Sequence, residues 1–119
     1  MTTQEVATRL TELCKKGDFE AAQDELFAED AVSVEQHATP DFDKETKGLK
    51  AIKEKGEKWG QMVESMHGID VSEPLVAANS FALTIKMDVT MKGGHKMDMT
   101  ELCVYEVKDG KIVKEEFFM

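Results

Sequence analysis

Apolar and polar residues alternate along most of the stretch from residue 80 to residue 119, with two short interruptions. Such alternation places successive side chains on opposite faces of a β-strand. The interruptions, Gly93-Gly94 and Asp109-Gly110, are pairs typical of hairpin turns. The pattern predicts three antiparallel strands that share one packed face. The first two strands give this face Phe81, Leu83, Ile85, Met87, Val89 and Met91, then Met97, Met99, Glu101, Cys103, Tyr105 and Val107.

The N-terminal half has helical periodicity in three places. Thr2 and Glu5 have the spacing of a capping box, and apolar residues recur at helical intervals from there until Gly17. Asp18 is expected to cap a second, shorter helix. Apolar residues at helical spacing then predict a third helix over residues 49–68, closed by the His67-Gly68 pair.

The remaining segments carry weaker signals. Residues 31–35 predict a short strand, and residues 36–48, which are polar and contain Pro40, predict a mobile loop. Residues 69–75 predict a weaker strand that Pro74 interrupts. We therefore expect an α+β fold in which the helices cover one face of an antiparallel sheet, and the hairpins exclude a parallel Rossmann-type architecture. With 119 residues, the chain is expected to form a single domain over residues 1–119.

Charge narrows the classes of partner. The formal net charge is −9, with 15 basic residues against 24 acidic ones. A chain of this charge repels phosphate backbones and anionic lipid surfaces, so we expect neither nucleic acid nor membrane as a partner. Two cysteines without a pairing pattern, and a start without an apolar run, favour the cytoplasm. No phosphate-binding glycine loop or dinucleotide fingerprint is present, and we expect no cofactor.

Several phrases of the sequence together resemble the SnoaL-like branch of the NTF2-like superfamily, which includes ketosteroid isomerase. They are GDFEAAQDELFAEDAVSVE at residues 17–35, GLKAI at 48–52 and YEVKDGKIVKEEFF at 105–118. The resemblance implies a cone-shaped, curved sheet wrapped around the N-terminal helices. It places Glu35 where the isomerase has its proton-shuttling carboxylate. It also places Cys103 and Leu10 where the isomerase has its two donors to the substrate oxyanion, so steroid isomerase activity is not expected.

Three residues are candidates for proton transfer. Glu35 is the first candidate base, and we expect it at the cavity wall, partly desolvated. Glu101 lies among apolar groups on its strand, where a charge is costly unless it is paired or functional. His37 is two residues from Glu35 and is therefore able to share its strand face as a proton carrier. The alternatives are that Glu35 points to solvent, that Glu101 bonds to a nearby donor and that His37 is a loop residue. The three histidines lack a common ligand spacing, so no metal site is expected.

A methionine-rich face that carries an acid suggests a cavity for apolar ligands, because methionine is flexible and polarizable. Ordinary filling of the core explains the same residues. Glu115 is expected on the apolar side of the last strand. The candidate ligand-binding residues are Trp59, Met62, Met87, Met97, Met99, Cys103, Tyr105, Glu115 and Phe117.

Three classes of function stay open from the sequence. The first is an isomerase, cyclase or dehydratase that acts on a small apolar carbonyl compound. The second is a binding domain that holds such a molecule without catalysis, and the third is a dimerisation module with a filled cavity. The resemblance also implies a homodimer through the outer face of the sheet, where Leu102, Val104 and Phe118 lie among polar groups.

Overall fold

The computed structural model describes all 119 residues. Its helices are α1 (Thr3–Lys15), α2 (Phe19–Leu26) and α3 (Leu49–Met62). Its strands are β1 (Phe27–Val34), β2 (Glu45–Lys47), β3 (Val63–Val71), β4 (Leu75–Ala77), β5 (Ser80–Met91), β6 (Lys96–Lys108) and β7 (Lys111–Phe118). None of the three helices combines the length and the apolar character that crossing a membrane requires.

The strands form one mixed sheet in the order β2-β1-β7-β6-β5-β3, with β4 paired to β5 beside this path. All pairs are antiparallel except β1 and β7, which run parallel. The predicted α+β cone is confirmed, but a purely antiparallel sheet was wrong in this one pair. Hairpin turns predict pairing only between strands that are neighbours in sequence. β1 and β7 are the first and last strands of the chain, so no hairpin turn indicates their pairing.

Local signals account for the start and the end of α1. The Thr2 hydroxyl accepts a hydrogen bond from the Glu5 amide at 3.1 Å, and the Glu5 carboxylate accepts one from the Thr2 amide at 2.9 Å. This confirms the predicted capping box. Gly17 follows the helix with a φ of 75°, a conformation that glycine adopts without strain. Asp18 precedes α2 as expected, but its side chain makes no capping hydrogen bond.

The predicted packed face of β5 and β6 is confirmed. Every apolar residue assigned to it on β5 is buried, and on β6 the residues Met99, Cys103, Tyr105 and Val107 are buried as well. Phe81 and Tyr105 stack with their ring centres 4.9 Å apart. This face meets Val6, Leu10 and Leu13 of α1 in a single apolar core. The helices therefore cover one face of the sheet, and the opposite, outer face has no helix packed on it.

Several boundaries predicted from the sequence were wrong. The strand expected over residues 31–35 is the longer β1 (Phe27–Val34), and the strand expected over residues 69–75 is divided between the end of β3 at Val71 and the start of β4 at Leu75. Helix α3 ends at Met62, not at the His67-Gly68 pair, because residues from Val63 onwards pair with β5 as strand β3. Most of β3 is exposed, so its sequence lacks the alternation that marks a half-buried strand. The predicted loop over residues 36–48 contains the short polar strand β2, which pairs with residues 32–34 of β1.

Candidate functional site

A cavity of about 620 Å³ lies between the three helices and the packed face of the sheet. Of its 24 lining residues, 15 are hydrophobic. Helix α3 supplies one wall, strands β5, β6 and β7 supply the floor, and the segment from Glu35 to Phe42 lies at the mouth. A cavity of this volume accommodates a small organic molecule.

The structure brings most of the predicted site residues together around this cavity. All three predicted proton-transfer residues line it, as do seven of the nine predicted ligand-binding residues. Those ten residues are Glu35, His37, Trp59, Met87, Met97, Met99, Glu101, Tyr105, Glu115 and Phe117. Met62 and Cys103 are not part of the lining. Met62 is half-buried at the end of α3, and Cys103 is buried behind the cavity wall.

Glu35 follows the last residue of β1, and its side chain is 28% exposed. One of its carboxylate oxygens lies 3.1 Å from Nζ of Lys55 on α3. The same Nζ donates to the hydroxyl of Ser33 at 2.8 Å. Ser33 is fully buried, so Lys55 provides a hydrogen-bond partner for a polar group that water does not reach. Glu35 is thus at the cavity wall as expected, but in an ion pair.

Glu101 projects from the middle of β6 into the cavity and forms no ion pair. The thiol of Cys103 donates to its Oε1 at a distance of 3.5 Å. Burial raises the pKa of Glu101 to about 7, and the negative charge of Glu35 acts in the same direction. The Cys103 hydrogen bond and the charge of Lys55 oppose this rise. At neutral pH the carboxyl group is therefore divided between its protonated and ionised forms.

Glu115 is the most deeply buried acid of the site, with 5% of the residue exposed. It lies on β7 directly opposite Ser33 in the parallel pair with β1. Burial raises the pKa of Glu115 to about 7, while a hydrogen bond from Ser33 and the charge of Lys55 limit the rise. Two carboxyl groups that titrate near neutrality therefore face one cavity, which is an arrangement suited to accepting and returning protons.

The histidines are distributed differently from these acids. His37 is exposed in the cavity lining, beyond the end of β1, so it does not share a strand face with Glu35 and is a loop residue, as the alternative predicted. His67 lies on β3 outside the cavity lining, and its Nε2 is 2.6 Å from the hydroxyl of Thr90. His95 is exposed between β5 and β6.

Sequence reasoning missed Lys55 and Ser33. Lys55 is three residues after Ile52 and four before Trp59, and all three line the cavity. That helical spacing was a usable signal, although a charged residue on an amphipathic helix usually faces solvent. Ser33 follows the alternation of β1, in which Ala31 and Ser33 are both buried. Nothing in the sequence indicates that Ser33 lies opposite Glu115, because this position depends on the parallel pairing of β1 with β7.

Comparison with known proteins agrees with this architecture. The family model described as the SnoaL-like domain matches residues 1–119, and the chain therefore belongs to the SnoaL-like family. A crystal structure from Mesorhizobium loti, provisionally named a SnoaL-like polyketide cyclase with carbohydrate phosphatase as a bracketed designation, is 38% identical. The match covers 100% of this chain and 100% of that chain, with a TM-score of 0.90. No match is found among curated proteins.

More distant structures share the fold alone. A protein of unknown function with a cystatin-like fold from Xanthomonas campestris is 17% identical, with a TM-score of 0.83; 99% of this chain and 90% of that chain are covered. A SnoaL-like protein from Jannaschia sp. CCS1, also provisionally named a polyketide cyclase, is 13% identical, with a TM-score of 0.78. That match covers 99% of this chain and 86% of the other.

Proposed function

We propose that the chain binds a small apolar carbonyl compound in its cavity and transfers a proton on it, as isomerases, cyclases and dehydratases do. The observation that carries this proposal is the presence of Glu101 and Glu115, two carboxyl groups without ion-pair partners, on the wall of a mainly apolar cavity. A base is most effective when its pKa lies near the working pH. The provisional name of the Mesorhizobium loti relative, a polyketide cyclase, is compatible with such chemistry.

Glu101 is our choice for the base. It lies in the cavity lining, its pKa is raised to about 7, and a weakly donating thiol is its one hydrogen-bond partner. Glu35 lines the same cavity, but its carboxylate is held by Lys55. The bracketed designation of the relative, a carbohydrate phosphatase, fits this cavity less well. The three acids of the lining repel a phosphate group, and a single lysine does not offset them.

The proposal is tested by hydrogen exchange on 2-tetralone, an apolar ketone with acidic hydrogens beside its carbonyl group. Proton NMR in deuterated buffer follows the loss of those hydrogens. We expect the wild-type chain to accelerate the loss, and Glu101→Gln to lower the accelerated rate by about 100-fold or more. Because the ionised form of Glu101 is the base, the wild-type rate should rise with pH and level off above about 7.

Glu106→Gln is the matched control, since Glu106 lies on the same strand, is exposed and undergoes the same change of charge. Exchange that is equally fast in wild type and Glu101→Gln would contradict the choice of base. Wild-type exchange no faster than in buffer alone would contradict proton transfer.

The second candidate function is ligand binding without catalysis. The predominance of apolar groups in the cavity lining favours it, because burial of apolar ligand surface needs no reactive group. Native mass spectrometry of the purified protein tests for a retained apolar molecule. A retained ligand together with no catalysed exchange would favour this second function over the first.

A further inference from the structure

Lys55 is the only lysine or arginine that lines the cavity. Its side chain is 16% exposed, although it belongs to a helix whose Lys50 points to solvent. Removing an ammonium group from water is costly unless the group is paired and hydrogen-bonded. Ser33 and Glu35 supply such partners for Lys55, at 2.8 and 3.1 Å from Nζ.

The ammonium group of Lys55, a residue of the cavity lining, retains a free donor. It has three N–H groups, and the two contacts with Ser33 and Glu35 occupy two of them. No other protein acceptor lies within hydrogen-bond distance of Nζ. The same Nζ lies 5.4 Å from the ring centre of Phe117, which is itself part of the cavity lining. The charged end of Lys55 therefore reaches the space that a ligand would occupy.

We propose that Lys55 binds the carbonyl oxygen of the ligand and carries the negative charge that develops there. This inference rests on the proposed proton transfer. It assigns to Lys55 the role of hydrogen-bond donor to the oxyanion, which Cys103 and Leu10 do not fill. A thiol is a weak donor and a leucine is none, whereas an ammonium group donates a charge-assisted hydrogen bond. Stabilisation of a developing oxyanion is commonly the largest single contribution to catalysis of this kind.

The step balances without any further reactant. The Glu101 carboxylate takes a proton from the carbon beside the carbonyl group, and the electrons of that C–H bond form a carbon–carbon double bond. The carbonyl π electrons move to the oxygen, which becomes an enolate oxygen opposite Lys55. The negative charge has passed from Glu101 to the ligand, so the total charge of the cavity is unchanged.

This balance also defines the class of ligand. Glu35, Glu101 and Glu115 face a single ammonium group, so a ligand that enters as an anion meets repulsion. A neutral compound becomes negative only when one of these carboxylates has accepted its proton. The three acids together with Lys55 therefore select neutral, apolar molecules with a weakly acidic hydrogen that is conjugated to oxygen, such as enolisable ketones and weakly acidic phenols.

The test uses 6-cyano-2-naphthol, an apolar phenol whose absorption changes when its O–H group ionises. Spectra of the bound compound give the ratio of naphtholate to naphthol at one fixed pH. We expect Lys55→Met to lower this ratio by about tenfold or more, the effect of losing one hydrogen bond to a charged group. Lys50→Met, which removes an exposed lysine from the same helix, should leave the ratio unchanged. An equal ratio in Lys55→Met and wild type would overturn the proposal.

Lys55→Met leaves Glu35 without its partner, which can prevent folding. The double variant Lys55→Met/Glu35→Gln then serves in its place and is compared with Glu35→Gln, so that the two proteins differ only at Lys55, with the same expected fall. Binding of 2-methoxynaphthalene, which has no ionisable group, should be the same in wild type and variant. If the variant that folds ionises the naphthol as well as its reference does, which is wild type for Lys55→Met and Glu35→Gln for the double variant, Lys55 has a structural role only and the proposal is overturned.

Exchange on 2-tetralone separates this inference from the proposed function. Fast exchange in wild type and slow exchange in Lys55→Met supports both. Equally fast exchange in the two proteins overturns the role of Lys55 and leaves Glu101 as the base. If wild type catalyses no exchange while ionisation of the bound naphthol depends on Lys55, proton transfer is wrong and Lys55 is the oxyanion-binding residue of a binding protein.

Discussion

Glu115→Gln should stabilise the chain at alkaline pH and change little at acidic pH. Burial raises the pKa of Glu115 in the folded chain, so between 4.5 and about 7 the folded state binds more protons at this residue than the unfolded state does. The free energy of unfolding therefore falls as the pH rises through this window and stays lower above it. Glutamine has the shape of the protonated acid and no charge, and its carbonyl oxygen can accept the hydrogen bond from Ser33.

The magnitude follows from the two pKa values. The difference between about 7 and 4.5, at about 1.4 kcal/mol for each pKa unit, amounts to about 3 to 4 kcal/mol above pH 7. Because Glu115 is almost completely buried, solvent screening reduces this figure little. For a domain of this size, such a gain raises the melting temperature by roughly 10 °C.

The assay is urea unfolding of wild type and Glu115→Gln at pH 5 and at pH 8. The gain in the free energy of unfolding should be large at pH 8 and small at pH 5. Glu106→Gln, an exposed change of the same charge, should give no comparable difference. A Glu115→Gln variant that is less stable than wild type at pH 8, or whose gain is independent of pH, would refute the reasoning and mark Glu115 as an acid that the fold needs in its ionised form.

Two further predictions concern the thiols and the outer sheet face. Burial raises the pKa of Cys14 to about 12 and that of Cys103 well above its usual range, so neither should react with Ellman's reagent at pH 8 until the chain is unfolded, and rapid reaction of the native protein would contradict this. Leu102 and Phe118 are paired neighbours on the outer face, 41% and 37% exposed, and we expect a homodimer through them. Light scattering should give twice the chain mass of 13.3 kDa, and Phe118→Lys should shift it to the monomer; a constant monomer mass for wild type would exclude the dimer.

The parts of the fold that sequence predicts well are those in which one face is buried and the other is exposed. Residues 81–91 alternate because one side of β5 packs on the helices, so the pattern identifies both the strand and its inner face. Strand β3 is exposed along most of its length, so burial imposes no period on it. The helical spacing of Trp59, Val63 and Met66 then extended the predicted helix past its actual end at Met62.

The acids of the site were easier to predict than their partners. Glu101 and Glu115 stand out because a carboxylate interrupts an apolar strand face, which is costly without a reason. Lys55 and Ser33 are ordinary residues for their elements, and their role becomes visible only when α3 is placed over β1. The sequence therefore indicated an acidic cavity, whereas only the tertiary structure shows that Lys55 lines it as well.

The parallel pairing of β1 with β7 has a consequence for how the chain folds. Val32 pairs with Lys114, so this contact closes a loop of about 80 residues, whereas β5, β6 and β7 follow one another in hairpins. Contacts between residues so distant in sequence form slowly, and the hairpins are expected to form first. Ser33 meets Glu115 only across the β1–β7 pair, so a partly folded chain already has its sheet centre but not its acidic cavity. Ligand binding would accordingly report on completed folding, and it would favour the finished state over every intermediate.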